Sequence, residues 1–343
     1  MLYTLWVIPL AMSRRALTWE RLGELQAFVA AHPDRLNEIS THFAHGTTLL
    51  YAGRLDEART AFERALARWE TGLHGALARV HGDDHGVFSI VYLMWLELRA
   101  GRLDASRQHG QRLLELVDTF KDPLAEAMVL AFMALAAHDV GDEATCQAHA
   151  DRAIAVSDAQ GFYFWGALGH ICRGWTRMRA GDHANGLAEI VGGLGFFDLI
   201  AQKLPLTYWK GYLVEACLLS GDTARGLAAV EEALAMSAEN ADSFNEAELL
   251  RLQGELFAAA APPGGGVPDA AIDRLERAGH VARGGGASFL ELRAATSLAR
   301  AMAKRRDGQS ARATLGDVLG RIDGGVDTAH VCAARDVVAG AQG

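Results

Sequence analysis

The run His81-Gly82-Asp83-Asp84-His85 sets two imidazoles and two carboxylates within five positions. Such groups are ligands for zinc and other divalent metals, and a metal held on three of them, His81, Asp83 and His85, would activate water for hydrolysis. A structural zinc site needs four ligands in a tetrahedron with hydrogen-bonded support, and no second cluster in the chain completes this one. Cys146-x2-His149 and His170-x-Cys172 are the other pairs of ligand type. The first shares a helix face at i, i+3, the second splits between two faces, and neither has the second half of a zinc finger. The chain also lacks a Gly-x-Ser-x-Gly elbow, a His-Glu-x-x-His motif and a Gly-x4-Gly-Lys-Ser/Thr phosphate loop. The pattern predicts no catalytic centre, no metal and no cofactor, so the chain reads as a non-enzyme.

What carries these residues is helical. Half of the 343 residues are hydrophobic, only 7 are proline, and Leu/Ala/Arg/Glu segments recur without sustained period-2 alternation. The formal net charge of -9 disfavours a nucleic-acid partner. The longest basic cluster, Lys304-Arg305-Arg306, falls at a predicted helix end, where cations complement the dipole. Cys146, Cys172, Cys217 and Cys332 form no Cys-x-x-Cys pair and lie in predicted helices, which suits buried thiols in a reducing cytoplasm. The apolar start MLYTLWVIPLAM is too short to span a bilayer and lacks the order of a signal peptide. No membrane partner is expected.

A repeat emerges from the turns. "AGRLDEA", "AGRLDAS", "VGDEATC", "AGDHANG" and "SGDTARG" place glycines at 53, 101, 141, 181 and 221, spaced by 48, 40, 40 and 40. A helical hairpin ends its first helix most cheaply on a left-handed glycine. Five residues on, the second helix crosses the first and needs a small side chain: Ala58, Ser106, Cys146, Gly186 and Gly226. The register extends to Ser13 with Thr18, Gly266 with Ala271 and Gly308 with Ala313. The prediction is one all-α, right-handed α-solenoid over residues 1–343, of about eight hairpins turning near 13, 53, 101, 141, 181, 221, 266 and 308. A capping helix is expected over 327–339. The run Pro262-Pro263-Gly264-Gly265-Gly266 reads as a loop between helices. The interval from Gly53 to Gly101 is eight residues long in excess, so His81 to His85 falls in an inserted loop over 71–86, with Asp84 as a helix cap.

"GRLDEARTAFERAL" sets Ala58, Phe62, Ala65 and Leu66 where tetratricopeptide second helices carry Ala-x3-Phe-x2-Ala-Leu, and the repeats resemble that family, with 40 residues in place of the usual 34. Blocks at 161–190, 212–235, 245–257, 288–302 and 325–338 are similar, in order, to the helical-repeat C-terminal region of bacterial signalling proteins. In those proteins a class III adenylate/guanylate cyclase domain and an AAA ATPase domain precede the repeats, and related repeats occur in maltose-activator-type regulators. The resemblance implies a regulatory, partner-docking module. Upstream ATPase or cyclase domains would lie outside this chain. With about twelve residues before the first turn, Leu2, Leu5, Trp6, Val7 and Ile8 are expected to be partly exposed, as at a cut end or a docking face.

In stacked hairpins the first helix of each pair lines the concave surface. Tyr92, Trp95, Trp165 and Trp209 fall on such helices, as core or as binding anchors. Arg173, Lys210, Glu246, Arg251, Glu291 and Arg293 recur there too, either as inter-repeat ion pairs or as a mixed-charge groove for a peptide. His81, Asp83 and His85 are predicted contacts of the inserted loop, since solenoid insertions often lie on the binding face. The expected function is a protein- or peptide-binding scaffold; the alternative is an effector-sensing domain with an aromatic concave pocket.

Overall fold

The computed structural model describes residues 2–240, 242–262, 265–305 and 308–340. The calls on Pro263, Gly264 and Arg306 lie outside the described residues. Sixteen helices form the hairpins, as α1 (Leu2–Ala11) with α2 (Arg15–Ala31), α3 (Arg35–Tyr51) with α4 (Leu55–Arg68), and α6 (His85–Arg99) with α7 (Leu103–Phe120). Next come α8 (Pro123–Val140) with α9 (Glu143–Gln160), α10 (Tyr163–Arg179) with α11 (His183–Leu199), and α12 (Leu206–Ser220) with α13 (Thr223–Asn240). The series ends with α14 (Glu246–Ala259) and α15 (Asp269–Gly284), α16 (Ser288–Lys304) and α17 (Gln309–Leu319), and a last helix, α18 (Ala329–Val338). Among the described residues there is no strand, only one isolated bridge between Arg102 and Asp323.

Glycines 53, 101, 141, 181 and 221 all have φ between 74° and 87°, the left-handed turn that their spacing predicts, and Ser13 adopts it at φ 54°. The rule fails at the last two hairpins. Gly266 sits in an extended segment between α14 and α15, and Gly308 caps α17 at φ −90°. Of the small crossing residues, Ala58, Cys146 and Ala271 are fully buried and Thr18 and Ser106 nearly so, but Ala313 is exposed because α17 turns Leu315 and Val318 inward instead. The closest crossing is α10 on α11: a β-carbon on Gly174 would lie 2.7 Å from the Gly186 carbonyl oxygen, and one on Gly186 equally close to that of Gly174.

First helices are sandwiched between neighbours, so they are apolar all round rather than on one stripe. Every residue of α6 is buried, His85 included. Helix α8 is the one described helix long and apolar enough to cross a membrane, yet two thirds of it is packed inside the solenoid. The inserted segment is not a plain loop: it forms a 3-10 turn (Thr71–Leu73) and a further helix, α5 (His74–His81), ended by left-handed Gly82. Asp84 then starts α6 by accepting from the Gly86 and Val87 N–H groups at 2.8 and 3.3 Å. At the N-terminus Trp6 is buried, its Nε1 donating to Thr48 Oγ1 at 3.0 Å, whereas Leu5 and Ile8 are 44% and 52% exposed.

The coil returns on itself, so the turns of early hairpins carry late segments. Gly53 abuts Ser243, and Gly141 abuts Ala329 at the start of α18. Asp323 N–H donates to the Gly101 carbonyl at 2.7 Å while Leu103 N–H donates to that of Asp323 at 2.8 Å. Lys203 and Leu204 N–H groups reach the Ala11 carbonyl at 3.0 and 3.2 Å.

The Gly174–Gly186 crossing yields a paired expectation. Gly174→Ala should destabilise the chain by about 1–3 kcal/mol through overpacking. Gly192→Ala, whose new methyl meets nothing within 4 Å, should be neutral or stabilising by up to about 1 kcal/mol. Thermal unfolding midpoints of the two variants check this; equal shifts would refute the close-crossing account.

Candidate functional site

Phe88, Tyr92 and Trp95 stand at i, i+4 and i+7 on α6, hence on one face. Facing them are Phe132 and Leu135 of α8, Phe164, Trp165 and Leu168 of α10, Trp209 of α12, Tyr51 of α3 and, from α1, Val7, Leu10 and Ala11. Together with the 202–205 segment they line a cavity of about 380 Å³. Trp165 lies 6.1 Å from Phe88 and 5.9 Å from Phe132 between ring centroids, and Phe164 lies 6.0 Å from Trp209. Trp209 stacks on Phe197 at 4.0 Å, and its Nε1 is buried without a hydrogen-bond partner. All four aromatics singled out in the sequence thus line one space. Asp83 is its one ionisable carboxylate; burial, then the nearby Asp122 and Asp84 charges, push its pKa up to about 6.

Beyond Trp95 the inner face turns polar. His138 of α8 contacts Asp139 Oδ1 at 3.2 Å through Nδ1 and Glu215 Oε2 at 3.1 Å through Nε2. Asp139 also accepts from Trp95 Nε1 at 3.0 Å and Tyr208 Oη at 2.9 Å, and Glu215 accepts from Trp175 Nε1 at 3.0 Å. Burial alone would lower the His138 pKa, but the hydrogen bonds and charges of Asp139 and Glu215 outweigh it and lift it to about 9. The same contacts hold both carboxyls below their ordinary range, against burial acting the other way. Arg99 is enclosed nearby, its guanidinium 3.7 Å over the Phe244 ring and its Nη1 donating to the Phe244 carbonyl at 2.7 Å.

Each of the six charged residues foreseen as a groove pairs with a charge outside that set. Arg251 bridges Glu248 at 2.5 Å and Glu255 at 2.6 Å, Arg293 reaches Glu248 at 3.1 Å, and Glu291 is buried between Arg283 and Arg321 at 2.8 Å each. Arg173 pairs with Glu189 at 2.6 Å, Lys210 with Glu232 at 2.9 Å and Glu246 with Arg277 at 3.6 Å, between neighbouring helices of the stack. Of the two readings of these charges, the distances are those of ion pairs, within α14 for Arg251 and between helices for the others.

The inserted segment also sorts differently from its prediction. His85 is a core side chain, stacked on Phe43 at 4.7 Å and bonded to Ser40 Oγ at 2.8 Å, so it makes no surface contact. The His81 ring lies 5.0 Å from that of His85, and Asp83 faces the cavity. Cys146 and Cys172 are buried free thiols. Among the described residues no three His, Cys, Asp or Glu side chains converge on a metal position. Sequence reasoning missed His138, Asp139, Arg99 and Glu248. For the first two there was a signal: a His-Asp pair closing an otherwise apolar helix needs buried partners. A second, larger hollow of about 650 Å³ lies between α7 and the α8–α9 pair, lined by Met94, Met133 and Leu114, with His149 of the Cys146-x2-His149 pair at its wall.

No family model matches the chain, and no curated protein matches it. Solved structures do. A Rap protein complexed with Competence and Sporulation Factor superposes with a TM-score of 0.62 at 10% identity, over 99% of this chain and 95% of that one. Yeast Tom70 gives 0.51 at 12%, over 91% of this chain and 65% of that one. A Signal Transduction ATPase with Numerous Domains (STAND) protein with a tetratricopeptide repeat sensor, from Pyrococcus horikoshii, gives 0.44 at 11%, over 89% and 46%. At such identities the likeness is one of fold. The chain is an α-solenoid of tetratricopeptide-like repeats.

The buried His138 predicts how stability follows pH. Its folded pKa lies above the ordinary 6.5, so its contribution is fully present below 6.5 and is lost as pH rises through about 9. His138→Gln should cost about 3 kcal/mol near pH 7 by stranding two carboxylates. The gap in thermal midpoint between wild type and variant should narrow from pH 7 to pH 10; a constant gap would exclude a charged His138.

Proposed function

We propose that the chain is a non-catalytic binding module of a bacterial signalling system, working in the cytoplasm and recognising a protein or peptide partner through the aromatic cavity of its inner face. Nucleic acid and membrane have no part in this reading. The observation that carries it is the space of about 380 Å³ lined by Tyr92, Trp95, Trp165 and Trp209. That volume lies in the range of ligand sites and suits one or two inserted side chains rather than a long extended peptide. Buried aromatic walls are the kind of surface that dominates binding energy. The fold neighbours support it by analogy: a Rap protein complexed with Competence and Sporulation Factor covers nearly the whole chain. ATPase or cyclase domains of the kind that precede the repeats it resembles are the proposed source of output.

The apolar aromatic lining of the cavity also favours a second reading, in which a free small effector occupies it. A filled-cavity variant separates binding there from binding elsewhere. Leu168 lines the space and is almost fully buried. Peptides selected from a random library on the immobilised full chain should bind Leu168→Phe at least about tenfold more weakly, with little change in thermal midpoint. Selected peptides that bind both forms equally would sink the cavity reading. Saturable quenching of tryptophan fluorescence by a free metabolite, with no peptide selected, would decide for the effector.

A further inference from the structure

The cavity has a charge as well as a shape. Among the described residues no lysine or arginine lines it, and Asp83 is its one charged side chain. Asp83 engages no hydrogen bond or ion pair with the described residues; the neighbouring Asp84 and Asp122 are instead clamped by His74, at 2.9 and 3.1 Å. The site is thus a set of aromatic faces with a single unspent carboxylate at its edge, and the carboxylates behind it deepen the negative potential. Aromatic faces attract cations through the ring quadrupole, most strongly where water is excluded. A partly buried carboxylate with no countercharge among the described residues is costly to keep ionised, so its burial favours arrival of a cation from outside the chain.

Resting on the cavity reading above, we infer that the occupant is an apolar organic cation, an amine or ammonium group on a hydrophobic body, seated among Tyr92, Trp165 and Trp209 with its charge against Asp83. A free amine and the lysine side chain of a docked peptide share this chemistry.

The test uses the full chain and calorimetric titration at pH 7.5 with 2-phenylethylammonium and its neutral counterpart 2-phenylethanol. The cation should bind about tenfold or more tightly than the alcohol. Asp83→Asn should bring the two together by weakening the cation alone, and Asp83→Glu should restore the preference. Because Asp83 holds no partner among the described residues, Asp83→Asn should keep the wild-type thermal midpoint. N-acetyl-phenylalanyl-lysine amide forms a second arm: tighter binding than the free amine assigns the cation to a peptide, weaker binding to a small molecule. Equal binding of amine and alcohol, or a preference that survives Asp83→Asn, overturns the inference and leaves the cavity reading in place. If neither probe binds while library peptides still distinguish Leu168→Phe, the cation assignment fails alone. If the peptides fail to distinguish it too, both fail.

Discussion

Asp139 is the point on which the inner architecture depends. Its two oxygens take Trp95 from the third hairpin, Tyr208 from the sixth and the adjoining His138, which in turn grips Glu215 of the sixth. An ionised carboxylate surrounded by protein is stable only while its lone pairs are filled and its charge balanced. Removing any one donor would therefore leave a buried charge under-solvated rather than merely delete a contact. A solenoid with neighbour-only contacts can flex as a spring. This one is tied across its axis by hydrogen bonds spanning 44 and 69 positions of sequence.

That tie explains why the inner surface divides into two chemistries. Past Asp139, Arg251 pairs with Glu248 and Glu255 along α14, and Arg293 of α16 reaches across to Glu248. Before it, α6, α8 and α10 present aromatic rings, whose bulk holds the helices apart and leaves a space that the chain does not fill. The returning segment at Asp323 and α18, seated on the Gly101 and Gly141 turns, closes the far side.

The hairpin rhythm was legible because one physical need, a left-handed turn followed by a close crossing, leaves Gly and a small residue at fixed spacing. Where another device ends the helix, as in the proline-bearing segment before Gly266, the same rule misplaced the geometry. Tyr92, Trp95, Trp165 and Trp209 could be assigned to the inner face from their helices, and they share a cavity there. Arg251 and Arg293 could be assigned to the same face; the partners of Arg251, Glu248 and Glu255, stand three and four positions away on its own helix, a local pattern, whereas the reach of Arg293 to Glu248 is not local. Which charges meet between hairpins, as Arg293 and Glu248 do, depends on superhelix pitch, a sum of small rotations per repeat that no local pattern encodes. His138 and Asp139 carried a local signal, a polar pair ending an apolar helix, and only the contacts across the axis reveal what it is for.

Trp95 belongs to both halves, and this bears on how the cavity works. Its ring walls the aromatic space, and its Nε1 is fixed on Asp139. The same carboxylate holds Tyr208 of α12, the helix that also supplies Trp209 to the cavity. Two walls contributed by hairpins far apart in sequence are thus set relative to each other by one buried anion. A site held this way loses little conformational freedom when it is occupied, which conserves binding free energy. The charged column is then the support of the aromatic space: it fixes the distance between the rings that wall it.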